Sequence, residues 1–182
     1  MKRKLILLIF VILIIVLAVY VSRIYFPIDG TVVDAETKQP IEGAVVLVEW
    51  SITPMAWLGM PTTYSYKVIE TMSDKSGKFK IKAYVLNPIV EKPDLAIYKA
   101  GYVCWSDRSI FPDNKERKDF KWSDHYTFSL ERFKPEYSYE KHTSFIHRAI
   151  NLGFGESKKL MADAYYWEEI AASKERDEAR KD

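Results

Sequence analysis

The chain carries one cysteine, Cys104, among 182 residues. No internal disulfide can form, so the fold must stand on its core alone. Histidine is nearly as scarce, with only His125, His142 and His147. Zinc peptidases need spacings such as H-E-x-x-H, which bring two ligands to one helix face. His142 and His147 are five residues apart, about 140° around a helix, with no carboxylate between them. A Gly-rich phosphate loop is also missing. Charge of one sign is not in excess: 27 basic residues stand against 25 acidic ones, for a net +2. No strong field exists to attract nucleic acid. These absences argue against a disulfide scaffold, a zinc peptidase, a nucleotide-phosphate site and a nucleic-acid binder. No catalytic residue, metal or cofactor is expected.

What remains reads as ordinary structure. Cys104, in "GYVCWSD", is expected to be a small buried hydrophobe rather than a nucleophile. Glu168 and Glu169 are adjacent on a helix and are expected to form a solvated face. The histidines are expected to be solvent-facing or partly buried. The composition, 48% hydrophobic, 29% charged and 14% aromatic, is that of a folded protein.

The first segment, "MKRKLILLIFVILIIVLAVYVS", opens with Lys2, Arg3 and Lys4 and then runs from Leu5 to Val21 without a charge. The length predicts a membrane-spanning signal anchor over 1–22, in contact with lipid through residues 5–21. The basic cluster before it predicts a cytoplasmic N-terminus and an extracytoplasmic main domain, hence a single-pass cell-membrane protein. A cleaved signal, cut after Ala18, is the alternative and would release a secreted soluble domain. A linker over 23–27 follows.

From Pro27 onward the periodicity is that of strands. "IDGTVVD" and "GAVVLVEW" are rich in β-branched residues, and "GKFKIKA" alternates lysines with Phe79 and Ile81. "TTYSYKVIETM", the two halves of "DLAIYKAGYVCW" around Gly101, and "DHYTFSLERF" complete about seven short strands. Turn signals every 8–15 residues predict an all-β, two-sheet antiparallel sandwich over 28–133. The tail, 134–182, predicts a helical hairpin. His142, Phe145, Ile146, Ala149 and Ile150 share one helix face, "NLGFGES" breaks the helix, and Leu160, Ala164, Trp167 and Ala171 stripe a second. That second helix is expected to fray through "SKERDEARKD".

The strand region resembles the carboxypeptidase regulatory-like domain, a prealbumin-like (transthyretin-like) sandwich. Its opening pattern is matched by Gly30, Val32, Asp34, Thr37, Pro40, Ile41, Gly43, Ala44 and Val46. A second block is matched by Thr71, Asp74, Gly77 and Phe79, and a third by Leu95 to Tyr102. The resemblance implies that the opening turn is the first hairpin of the sandwich. It also implies a folding, binding or positioning module, since the peptidase domain that accompanies this module elsewhere has no counterpart here. Two enzyme classes on the same sandwich lack their motifs in this chain. The hydroxyisourate hydrolases' Tyr-Arg-Gly-Ser ending is missing, and so is the H-x-H pair of the intradiol dioxygenases.

One loop is unusually apolar. "WSITPMAWLGMPTTY" places Met55, Trp57, Leu58 and Met60 between Pro54 and Pro61, where loops are normally polar. Those four residues are the expected contact with an envelope protein or the lipid interface. The sequence thus predicts a membrane-anchored, non-catalytic binding or scaffolding module. A hydrolase-like site on the sandwich is the alternative.

Overall fold

The computed structural model describes residues 2–22, 28–53, 63–81, 93–121, 125–150 and 158–181. The elements are α1 (Lys2–Ser22), β1 (Ile28–Asp34), β2 (Val45–Ile52), β3 (Tyr64–Met72), β4 (Lys78–Ile81) and β5 (Asp94–Tyr98). They continue with β6 (Trp105–Ser106), β7 (Ser109–Ile110), β8 (Lys115–Glu116), β9 (Tyr126–Leu130), α2 (Tyr139–Ala149) and α3 (Lys159–Ala179).

Two sheets face each other, one ordered β4-β1-β9 and the other β3-β2-β5-β6, with β7-β8 as a small ribbon. Even positions of β2 (Val46, Val48, Trp50) meet Phe79, Ile81 and Phe128 of the opposite sheet. Odd positions (Val45, Leu47) meet Phe145, Ile146, Met161 and Tyr165 of α2 and α3. β5 divides in the same way, Leu95 and Ile97 to one side and Ala96 and Tyr98 to the other. The period-two pleat therefore feeds two cores, and the central strands are apolar on both faces because both are covered. The unbroken runs "AVVLV" and "LAIY" are the sequence sign of this third layer.

Several expectations need correcting. The all-β, seven-stranded, antiparallel description does not hold, because nine strands in three sheets are joined by three helices among the described residues. β1 also pairs in parallel with β9, from Gly30 opposite Tyr126 to Asp34 opposite Leu130. Gly30 is needed at that contact, since a Cβ there would lie 2.6 Å from both the Tyr126 carbonyl oxygen and the Phe128 ring.

The opening turn is not a hairpin between β1 and β2. Val33 bridges Pro40 and the Ile41 amide donates to the Val32 carbonyl, but the chain then crosses to the other sheet. Asp34, 2% exposed, holds the crossing. Its Oδ1 accepts from the amides of Glu36 and Thr37, and its Oδ2 accepts from Tyr102 Oη and Arg132 Nε. The Thr37 amide above all, with Arg132, the Glu36 amide and Tyr102, holds this carboxyl well below the usual range against the opposing effect of burial. The turn from β3 to β4 likewise changes sheet. There Gly77, at φ +72°, approaches so closely that a Cβ would stand 2.4 Å from the Val32 carbonyl oxygen.

Among the described residues no helix is long and apolar enough to cross a membrane. This overturns the expected transmembrane anchor and, with it, the single-pass cell-membrane location. The side chains of Leu7 to Leu17 on α1 are exposed.

Candidate functional site

Tyr98 projects from β5 toward the helical layer, where α2 supplies His142 and α3 supplies Glu168. Tyr98 Oη donates to Glu168 Oε1 at 2.8 Å, and His142 Nδ1 lies 2.6 Å from Glu168 Oε2. The Cys104 amide donates to His142 Nε2 at 2.9 Å. Since Nε2 accepts, the ring carries its proton on Nδ1 and gives it to the carboxylate. All four residues are buried. The residue types are those of a nucleophilic triad, but the geometry closes that use, because the imidazole is spent on the cysteine's backbone rather than its thiol. Burial, reinforced by the Glu168 charge, pushes the Cys104 thiol far up. Burial, then Glu168, does the same to the Tyr98 phenol.

These contacts correct two expectations. His142 is fully buried rather than solvent-facing or partly buried, and Glu168 is a core residue, while Glu169 pairs with His147 at 3.1 Å. The signal for His142 was present, since it shares its stripe with Phe145, Ile146 and Ala149. No such signal marked Glu168, because α3 has two apolar stripes one residue out of phase. The buried one is Met161, Tyr165, Glu168 and Ala172, not the expected Leu160, Ala164, Trp167 and Ala171. Nor does α3 fray at "SKERDEARKD". Glu175 accepts from Ser138 Oγ and from the amides of Tyr139 and Glu140, capping the start of α2.

A second cluster lies on the outer face of β4-β1-β9. Asp29, Gly30, Asp74, Lys78, Lys80 and His125, with Phe79, line an open cleft of about 240 Å³. His125 Nδ1 is 3.2 Å from Asp29 Oδ2, and its Nε2 is 3.3 Å from Thr31 Oγ1. This is a carboxylate–imidazole–hydroxyl row, but His125 is half exposed and the backbone of Thr31 is committed to ladders on both sides. Among the described residues no group of three or more His, Cys, Asp or Glu side chains could hold a metal ion.

A third feature is the outward side of α3. Trp167 is 74% exposed and Tyr166 55%. Their rings are 6.0 Å apart, and Leu160 lies on the same side as Trp167 two turns earlier. The loop residues Met55, Trp57, Leu58 and Met60 lie outside the described residues.

Asp107, in the turn between β6 and β7, offers a test of the electrostatics. Burial raises its carboxyl to about 6, against the Leu95 amide that donates to Oδ1 at 3.1 Å. A folded value above the unfolded one means the native state holds the proton more tightly. Stability is then greatest below about pH 4 and falls as pH rises through about 6. Asp107→Asn keeps an acceptor for Leu95 and removes the half-buried charge. We expect it to stabilise the chain by about 1–2 kcal/mol at pH 8 and to be neutral at pH 4, read from urea midpoints. Equal effects at the two pH values would refute the account.

No family model matches the chain, and no curated protein matches it, so the carboxypeptidase regulatory-like family is not shown. Among solved structures, a streptococcal ancillary pilin is similar at 15% identity, covering 62% of this chain and 30% of the pilin, with a TM-score of 0.32. The shaft pilin SpaA from Lactobacillus rhamnosus GG is similar at 16% identity, covering 60% and 47%, with a TM-score of 0.33. A 9R-lipoxygenase from Cyanothece is similar at 13% identity, covering 63% and 18%, with a TM-score of 0.31. This chain thus spans less than half the length of each of the three. Likeness this slight, shared by pilins and an oxygenase alike, carries nothing about function.

Proposed function

We propose that the chain is a non-catalytic binding and scaffolding module of the carboxypeptidase regulatory-like kind, with the outward face of α3 as its contact surface for protein. One observation carries this reading: Trp167, the residue type most enriched at interaction hot spots, stands 74% exposed on a helix whose opposite stripe is fixed in the core. The buried Tyr98–Glu168–His142–Cys104 chain supports it, because those groups are consumed in fixing α2 and α3 to the sheet. The positions that carry the family resemblance also have structural duties. Asp34 fixes a crossover and Gly77 admits a neighbouring carbonyl. By composition, Met55, Trp57, Leu58 and Met60 belong to the same reading as a second contact.

A hydrolase-like reading rests on the Asp29–His125–Thr31 row. It is weaker because the cleft is open to water.

The test is a photoactivatable side chain placed at position 167 of the full chain in its native cells. A discrete protein adduct is expected, lost when Ile170 or Leu160 is changed to lysine. No adduct, together with ester or amide hydrolysis that disappears in His125→Ala, would replace the binding reading with the enzymatic one.

A further inference from the structure

The outward face of α3 has a heptad order. Leu160, Asp163, Trp167, Ile170, Lys174 and Asp177 follow one another at alternating steps of three and four, the spacing of a helix–helix seam. This seam lies on the far side of the helix from the buried stripe of Met161, Tyr165, Glu168 and Ala172. Asp163, Trp167, Lys174 and Asp177 are exposed, and Ile170 is half-buried. Neither Asp163 nor Lys174 enters an ion pair among the described residues, although Lys159 stands one turn from Asp163 and Glu178 one turn from Lys174.

We propose that this seam pairs antiparallel with the same seam of a second copy of the chain, about a twofold axis between residues 168 and 169. The proposal rests on the binding reading above and names its partner.

Charge decides the orientation. In an antiparallel pair the two seam positions of each heptad alternate across the interface. Asp163 then faces Lys174 of the other copy, twice by symmetry. Trp167 packs on Ile170, again twice, to form a small apolar centre. A parallel pair would set Asp163 on Asp163, Lys174 on Lys174 and Asp177 on Asp177, each a like-charge contact. Opposite charges arranged symmetrically about an apolar middle are what an isologous interface requires, since each patch must complement itself. Ala164 and Ala171 flank the seam on one side, and their small side chains let the helices approach. Lys159 and Arg180 meet at the two ends and work against association. With so short an apolar centre, the dimer is expected to be weak, with a midpoint in the micromolar range.

The test uses the full chain, with a mild non-ionic detergent covering the exposed residues Leu7 to Leu17, and reads dimerisation by sedimentation. Asp163→Lys alone and Lys174→Asp alone should each weaken dimerisation at least tenfold, because each sets two like-charge pairs across the axis. An equimolar mixture of the two variants should restore it, because the mixed pair recovers both opposite-charge contacts. Both positions are exposed, so circular dichroism should confirm unchanged folding. Singles that dimerise like the wild type, or a mixture that fails to recover, would overturn the proposal. A wild-type monomer whose position-167 adduct is a different protein would overturn self-pairing while leaving the binding reading intact. Absence of any adduct would remove both.

Discussion

Glu168→Ala is expected to destabilise the chain by about 3–5 kcal/mol. Two buried donors converge on that carboxylate, Tyr98 Oη at 2.8 Å and His142 Nδ1 at 2.6 Å. Alanine leaves both without an acceptor and opens a void between α3 and β5, so desolvation and cavity costs add. His142 cannot turn to a new partner without losing the Cys104 amide held by its other nitrogen. Glu168→Gln should cost less, about 1–3 kcal/mol, because its oxygen can serve one donor while its amide nitrogen faces the other. Urea unfolding followed by tryptophan fluorescence measures both, since Trp105 sits in the sandwich core. A loss under about 1 kcal/mol for the alanine variant would mean that the cluster does not fasten the helices.

The second large effect is expected where α3 begins. Lys158 Nζ donates to Glu49 Oε2 at 2.6 Å and also contacts the Ile150 carbonyl oxygen. Glu49 lies on the helix-covered face of β2 at 1% exposure, and its Oε1 has no hydrogen-bond partner among the described residues. Lys158→Met would strand a buried carboxylate, at a cost of about 3–5 kcal/mol. Removing both charges differs in kind. Glu49→Met with Lys158→Met should recover to within about 1 kcal/mol of the wild type, because a well-packed apolar pair of similar volume avoids desolvating two ions. The residual loss is the Ile150 carbonyl, which forfeits a donor. A full double-mutant cycle is needed, and additive losses would show that the ion pair is not the coupled unit described here.

Parts of this molecule could be read from the chain because they are local. Alternation in "GKFKIKA" reports one wet and one dry face without knowledge of the partner sheet, and Phe79 and Ile81 are indeed buried. Asp74 and Gly77 mark a turn because an Asx carboxylate and a left-handed residue act within four positions. His142 among the apolar residues of α2 signalled full burial, although the expectation went no further than partial burial. The seam on α3 is also local, being a spacing of residue types along one helix.

Sequence alone therefore marked local features such as the alternation of β4 and the turn at Asp74 and Gly77, since those follow from backbone preference and side-chain period over a few residues. Only tertiary structure decided that the opening turn crosses between sheets, that β1 runs parallel to β9, and that a helical layer covers β2 and β5. It also decided which of the two stripes on α3 goes inward, a choice between faces one residue out of phase. The inward choice was made by Tyr98 and His142, which lie far away in the chain and together offer Glu168 the two hydrogen bonds that offset its burial. Pairings across 26 to 109 residues, such as His142 with Glu168 and Glu49 with Lys158, leave no periodic mark. Their energy comes from desolvated contact, which exists only once the layers have closed.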